Sequence, residues 1–145
     1  MEKVLFRWLV YTIPLVIIGA IFAFPKPGVD EYFERYLWRQ PVLLVFAPSE
    51  KAPSLQTQRA VLREKKDQLK AAKVVVWEVI GLDFVAIQGA RKPHIPTTRL
   101  QNYFQVSRDE FTVILLGLDG EKVFQLRDPV SVPNIVEKSR YKVVS

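Results

Sequence analysis

The chain has 145 residues, no cysteine, one histidine and a formal net charge of +6 from 21 basic and 15 acidic side chains. That length allows one modest domain, and 49% hydrophobic with 25% charged residues suits a folded core and not a disordered tail. The missing cysteine excludes disulfides, thiolate metal sites and thiol oxidoreductase activity, and the basic balance reads as a solvated surface, because no nucleic-acid-binding motif accompanies it.

From Trp8 to Phe24 the sequence WLVYTIPLVIIGAIFAF carries no charge. Extended back to Leu5, with Arg7 snorkelling, it makes about 30 Å of helix at about 1.5 Å per residue, enough for a hydrocarbon core. Pro14 is tolerated in such a helix, and Trp8, Tyr11 and Phe24 suit the interface. A cleaved signal peptide is the rival reading, with Lys3 and Arg7 as its charged start. The apolar run is longer than a usual signal core, and Ile21-Phe22-Ala23 makes a poor cleavage site. The expectation is therefore an uncleaved single-pass anchor over residues 1–24, meeting the lipid bilayer through residues 5–24. Lys3 and Arg7 are nearly balanced by Lys26, Arg35 and Arg39 beyond it. The short leading tail favours a cytoplasmic amino terminus and a domain outside the cytoplasm, periplasmic in a Gram-negative cell.

Pro25-Lys26-Pro27-Gly28 ends this segment, residues 25–35 form a juxtamembrane linker, and 36–145 form the domain. Tyr32, Phe33, Tyr36 and Leu37 share one face of a short helix. Val42–Phe46 is an unbroken apolar run, as in a strand covered on both faces. Pro48 and Pro53 bracket a loop, Ser54 caps the next helix, and Leu55, Leu62 and Leu69 mark its buried stripe. Lys73–Ile80 is the next strand, parallel to the first through a right-handed crossover. Residues 81–96 are irregular. Thr97 or Thr98 caps a short helix with Leu100, Tyr103 and Phe104, and Phe111–Leu118 is a third apolar strand. Asp119-Gly120 signals a two-residue hairpin to Lys122–Leu126, and Ser131 caps a last helix with Pro133 in its first turn.

The resulting order, β-α-β-α-β-β-α with a parallel half and an antiparallel half, is similar to the thioredoxin fold. Residues 36–49, YLWRQPVLLVFAPS, with LQTQR at 55–59, VVVWEV at 74–79, TVILLGLDG at 112–120 and DPVS at 128–131, resemble a small uncharacterised thioredoxin-like family. That family is a domain of unknown function, related to peroxiredoxins and also found in animal sushi-repeat and matrix proteins. The resemblance covers residues 36–141 and implies an α/β thioredoxin-like sandwich with a mixed sheet, an exported location and no established reaction. Two features depart from the fold's usual site: the reactive cysteine is absent, and no proline precedes Thr112.

In a thioredoxin the junction after the first strand holds a thiolate at a helix start. Here Ser49, Glu50, Lys51 and Ser54 occupy it, as candidates for partner or anion contact through backbone N–H groups assisted by Lys51. A serine nucleophile there needs a base, and nothing in the sequence brings His94, the one histidine, to it. No catalytic residue, metal ligand or cofactor is therefore expected; the carboxylates are scattered and no phosphate loop is present. Arg63, Lys65, Lys66, Lys70 and Lys73 are the densest basic cluster, read as a solvated surface spread over several helix faces. The expected function is a membrane-anchored, non-redox binding or structural module with a membrane or extracytoplasmic protein partner. The alternatives are a non-thiol enzyme using the Ser49–Ser54 loop, or a lipid-surface or nucleic-acid binder through the basic helix 55–73. Nucleic acid is not an expected partner on the motifs present.

Overall fold

The computed structural model describes residues 28–140 of the chain. The chain divides after Tyr32 into two units. Of the first, residues 28–32 are described, and they begin the one-turn helix α1 (Val29–Phe33). The second continues through a 3-10 turn (Glu34–Tyr36) into β1 (Val42–Ala47), α2 (Pro53–Glu64), α3 (Lys66–Ala71) and β2 (Val75–Ile80). There follow β3 (Phe84–Ile87), β4 (Ala90–Arg91), α4 (Thr97–Phe104), β5 (Thr112–Leu116), β6 (Lys122–Leu126) and α5 (Val132–Ser139).

The six strands form one mixed sheet in the order β4-β3-β2-β1-β5-β6. β1 runs parallel to β2, with Leu43 beside Val76 and Val45 beside Glu78. Every other neighbouring pair is antiparallel. The continuous apolar run of β1 is explained by its central place, since all six of its residues are buried. Alternate residues serve two cores. Leu43, Val45 and Ala47 join Ile80, Val113 and Leu115 beneath Leu55, Leu62 and Leu69 of the α2–α3 pair and Ile135 of α5. The opposite face holds an aromatic group, with the Phe33 ring tilted against Trp77 at 4.8 Å between centroids, and Phe104 of α4 6.0 Å from Phe46. Each fully buried aliphatic or aromatic side chain contributes about 1.5–3 kcal/mol of burial.

Gln58 sits wholly buried on α2. Its amide donates to the Val130 carbonyl at 2.9 Å and accepts from the Val130 N–H at 2.7 Å. A side chain thus stands in for a strand partner and ties α2 to the approach of α5. At the carboxyl ends of β1 and β2, Gly81 has φ +47°, and a Cβ there would lie 2.3 Å from the Pro48 carbonyl oxygen. Gln101 of α4 donates to the Gly81 carbonyl at 2.7 Å and locks that crossing.

Several sequence expectations are revised. Residues 1–24, expected to form the anchor, lie outside the described residues. A single-pass membrane protein is not supported: among the described residues no helix is long and apolar enough to cross a membrane. The longest described helix, α2, has 12 residues, about 18 Å of rise against about 30 Å of hydrocarbon. The irregular stretch 81–96 contains the antiparallel β3–β4 hairpin, turned by Gln88 and Gly89 at φ +52° and +84°. Both are left-handed, as a tight hairpin whose twist matches its strands requires.

The expected helix 55–73 breaks at Lys65 (φ −122°, ψ 36°) into α2 and α3. α2 starts at Pro53 with Ala52 before it, and α4 starts at Thr97 with Pro96 before it. Neither start has a side-chain cap, so Ser54 and Thr98 are already inside their helices. Ser131 does precede α5, without a side-chain cap bond. The β5–β6 turn closes between Gly117 and Glu121 (N–O 2.9 Å), leaving Leu118–Gly120 as the loop, because Gly120 alone is left-handed there (φ +81°).

Candidate functional site

The charged residues that matter most interrupt apolar patterns. Glu78 lies in the middle of β2 and, with Val76 and Ile80, faces the α2–α3 side of the sheet. Arg59 lies on the same helical stripe as the buried Leu55 and Leu62. A carboxylate and a guanidinium at inward positions of facing elements must pair or pay desolvation unaided. They pair side-on: Arg59 Nε donates to Glu78 Oε2 at 2.9 Å, and Nη2 to Oε1 at 2.7 Å. The Glu78 side chain is only 16% exposed. Hydrogen bonding to the Glu78 carboxylate holds the Arg59 pKa above the ordinary guanidinium value, against the opposing effect of burial. Because the folded value is raised, this stabilisation is complete below the ordinary guanidinium range and is lost only as pH climbs through the folded value.

Around this pair lies a groove of about 960 Å³, between the α2–α3 helices and the β2-β3-β4 edge of the sheet. Val76, Phe84 and Ala86 make an apolar floor; Arg63, Lys66, Lys70 and Lys73 line it from the helix side. Lys73 is held by backbone geometry. It takes a left-handed conformation (φ +62°) at the end of α3, where Val74 N–H reaches the Leu69 carbonyl at 3.0 Å. Among the described residues, none of these four cations forms an ion pair. Six cationic side chains line the groove against three carboxylates, Glu50, Asp67 and Glu78.

The expected contact residues are distributed unequally about this groove. Glu50 reaches its end: Arg59 Nη2 lies 3.4 Å from Glu50 Oε2, and Arg91 Nη2 lies 3.3 Å from Oε1. Arg91 in turn covers the Phe84 ring, 4.0 Å from guanidinium carbon to centroid. Ser49, Lys51 and Ser54 do not line the groove. The Ser49 carbonyl accepts the Ala52 N–H at 3.2 Å in a turn, Lys51 is exposed, and Ser54 lies in the first turn of α2. His94 is exposed beyond β4. No group of three or more His, Asp or Glu side chains placed to hold a metal ion occurs among the described residues.

Of the basic cluster singled out in the sequence, Arg63, Lys66, Lys70 and Lys73 come to the one groove and Lys65 does not. Their spacings of three, four and three residues put them along one side of the α2–α3 pair. Arg59, Glu78 and Arg91 were not among the expected site residues. For Glu78 and Arg59 a signal was present, in a charge within the run VVVWEVI and another on the Leu55–Leu62 stripe.

A family model described as a domain of unknown function (DUF4174) matches residues 32–138, which includes the whole groove. The chain belongs to this DUF4174 family. Among curated relatives, the coiled-coil domain-containing protein 80 of Danio rerio is 25% identical over 111 residues, covering 66% of this chain. The matched stretch spans only 13% of that relative's length, so it is a small part of a much larger protein. No solved structure matches.

Proposed function

We propose that residues 36–145 form a thioredoxin-like module without thiol chemistry, which binds an acidic segment of a protein partner in the α2–α3 groove. The topology supports the fold reading: β1 lies between a parallel β2 and an antiparallel β5–β6 hairpin. Helices α2 and α5 share one core, while Phe104 of α4 belongs to the opposite face. The complete absence of cysteine removes the fold's redox chemistry.

The observation that carries the binding reading is the groove itself, four unpaired cations above an apolar floor. A chain of alternating acidic and apolar residues in extended form satisfies both surfaces, because successive side chains of a strand point to opposite sides. A nucleic acid backbone matches the charge but not the apolar floor, whose one ring, Phe84, is already covered by Arg91.

Fluorescence anisotropy with a labelled eight-residue peptide of alternating Glu and Val tests this, beside a Lys–Val peptide and a single-stranded oligonucleotide. The Glu–Val peptide is expected to bind best, with affinity that falls as salt rises. Reversing two charges, Lys66→Glu with Lys70→Glu, should weaken it by about tenfold or more. Equal binding of the Lys–Val peptide, tighter binding of the oligonucleotide, or indifference to the double reversal would each overturn the proposal.

A further inference from the structure

We infer that Arg59 and Arg91 form a subsite for one carboxylate of the incoming acidic segment, and that Glu50 fills this subsite in the free protein. The inference rests on the binding reading above and adds the point at which the partner is gripped.

Two guanidinium nitrogens from separate elements, α2 and β4, converge on the two oxygens of one carboxylate. The grip is unequal. Arg59 is fixed from below by Glu78 through two short, charge-assisted hydrogen bonds. The contacts to Glu50, at 3.4 and 3.3 Å, lie well beyond the usual 2.7–2.9 Å of such bonds. The Glu50 side chain is 45% exposed and that of Arg91 63% exposed, where ion pairs contribute little. Glu50 is therefore the replaceable member of the chain Glu78–Arg59–Glu50–Arg91, and Glu78 keeps Arg59 in position when Glu50 leaves. The Glu50 backbone need not follow. Its carbonyl is held by the Gln56 side-chain amide, so rotation of the side chain alone vacates the subsite.

The position fits the proposed ligand. The subsite lies where Glu50 of the β1–α2 loop reaches the groove, next to Phe84, and Lys66 and Lys70 of α3 line the same groove. A planar carboxylate takes one oxygen to each arginine, as Glu50 does. An acidic peptide bound along the floor presents such a group to this end while its other carboxylates meet Lys66 and Lys70.

The test uses the full chain and the Glu–Val peptide with three variants: Glu50→Gln, Arg91→Gln and the pair together. Glu64→Gln, on α2 but outside the groove, serves as the charge-matched control. Removing the competing carboxylate should tighten binding about three- to fivefold beyond the Glu64→Gln control. Arg91→Gln should weaken binding about fivefold or more, and the gain from Glu50→Gln should vanish in the double variant. Because Arg91 and Glu64 are exposed and Glu50 is only half-buried, thermal melting should show each variant folded. If Glu50→Gln matches Glu64→Gln while the Lys66 and Lys70 reversal still abolishes binding, the subsite is refuted and the groove survives. Absence of binding to the unaltered protein would refute both.

Discussion

Replacing Gln58 by Leu exchanges a buried amide for an apolar side chain of similar reach, and on hydrophobicity alone it should stabilise the core. The structure argues the opposite. Gln58 satisfies both the N–H and the carbonyl of Val130, which is itself only 5% exposed. Leucine would strand both groups away from water, at about 1–3 kcal/mol each. The added apolar burial returns about 1–2 kcal/mol, because the glutamine stem is already buried. At the middle of these ranges the expected net loss is about 2.5 kcal/mol, a large fraction of the roughly 5–15 kcal/mol that holds a domain folded. Urea unfolding followed by circular dichroism should show the midpoint falling with an unchanged slope. Gln68→Leu, an exposed change on α3, should move stability by less than about 0.5 kcal/mol. A Gln58→Leu protein within about 0.5 kcal/mol of the parent would refute the view that this amide acts as a strand surrogate.

Two backbone substitutions should act in opposite directions. Gly81→Ala places a Cβ 2.3 Å from the Pro48 carbonyl oxygen at φ +47°; it should cost about 2 kcal/mol or more and lower the melting temperature by several degrees. Gln105→Gly should raise it slightly, because Gln105 is a non-glycine residue at φ +57° that ends α4 with Val106 N–H on the Gln101 carbonyl. The gain is about 0.5–1 kcal/mol, since relief of left-handed strain is partly offset by the entropy of a freer unfolded chain. A destabilised Gln105→Gly variant would mean that the glutamine side chain contributes more than its backbone costs.

Legibility followed burial. The runs at 42–46, 73–80 and 111–118 announced strands because β1, β2 and β5 lie in the sheet interior, where apolar side chains cover both faces. The β3–β4 hairpin escaped notice because β4 is two residues long at an edge and its turn uses Gln88-Gly89, not an Asn-Gly or Asp-Gly pair. Cap residues were misplaced where proline, which needs no N–H partner at a helix start, allowed α2 to begin earlier. Of the loop named from the sequence, Glu50 reaches the groove and Ser49, Lys51 and Ser54 do not line it.

Composition by itself determined that no thiol chemistry is available, since that depends only on an absent residue type. Unbroken apolar runs determined the three main strands and hydrophobic periodicity the helices between them, since each is a local pattern. Only the tertiary structure decided the site. Arg59 and Glu78 are 19 residues apart, Glu50 and Arg91 are 41 apart, and Gln58 and Val130 are 72 apart. Their meeting depends on the parallel register of β1 and β2, on the packing of α2 over that sheet and on the hairpin that carries Arg91. Those are properties of how elements pack against one another, and no single segment encodes them.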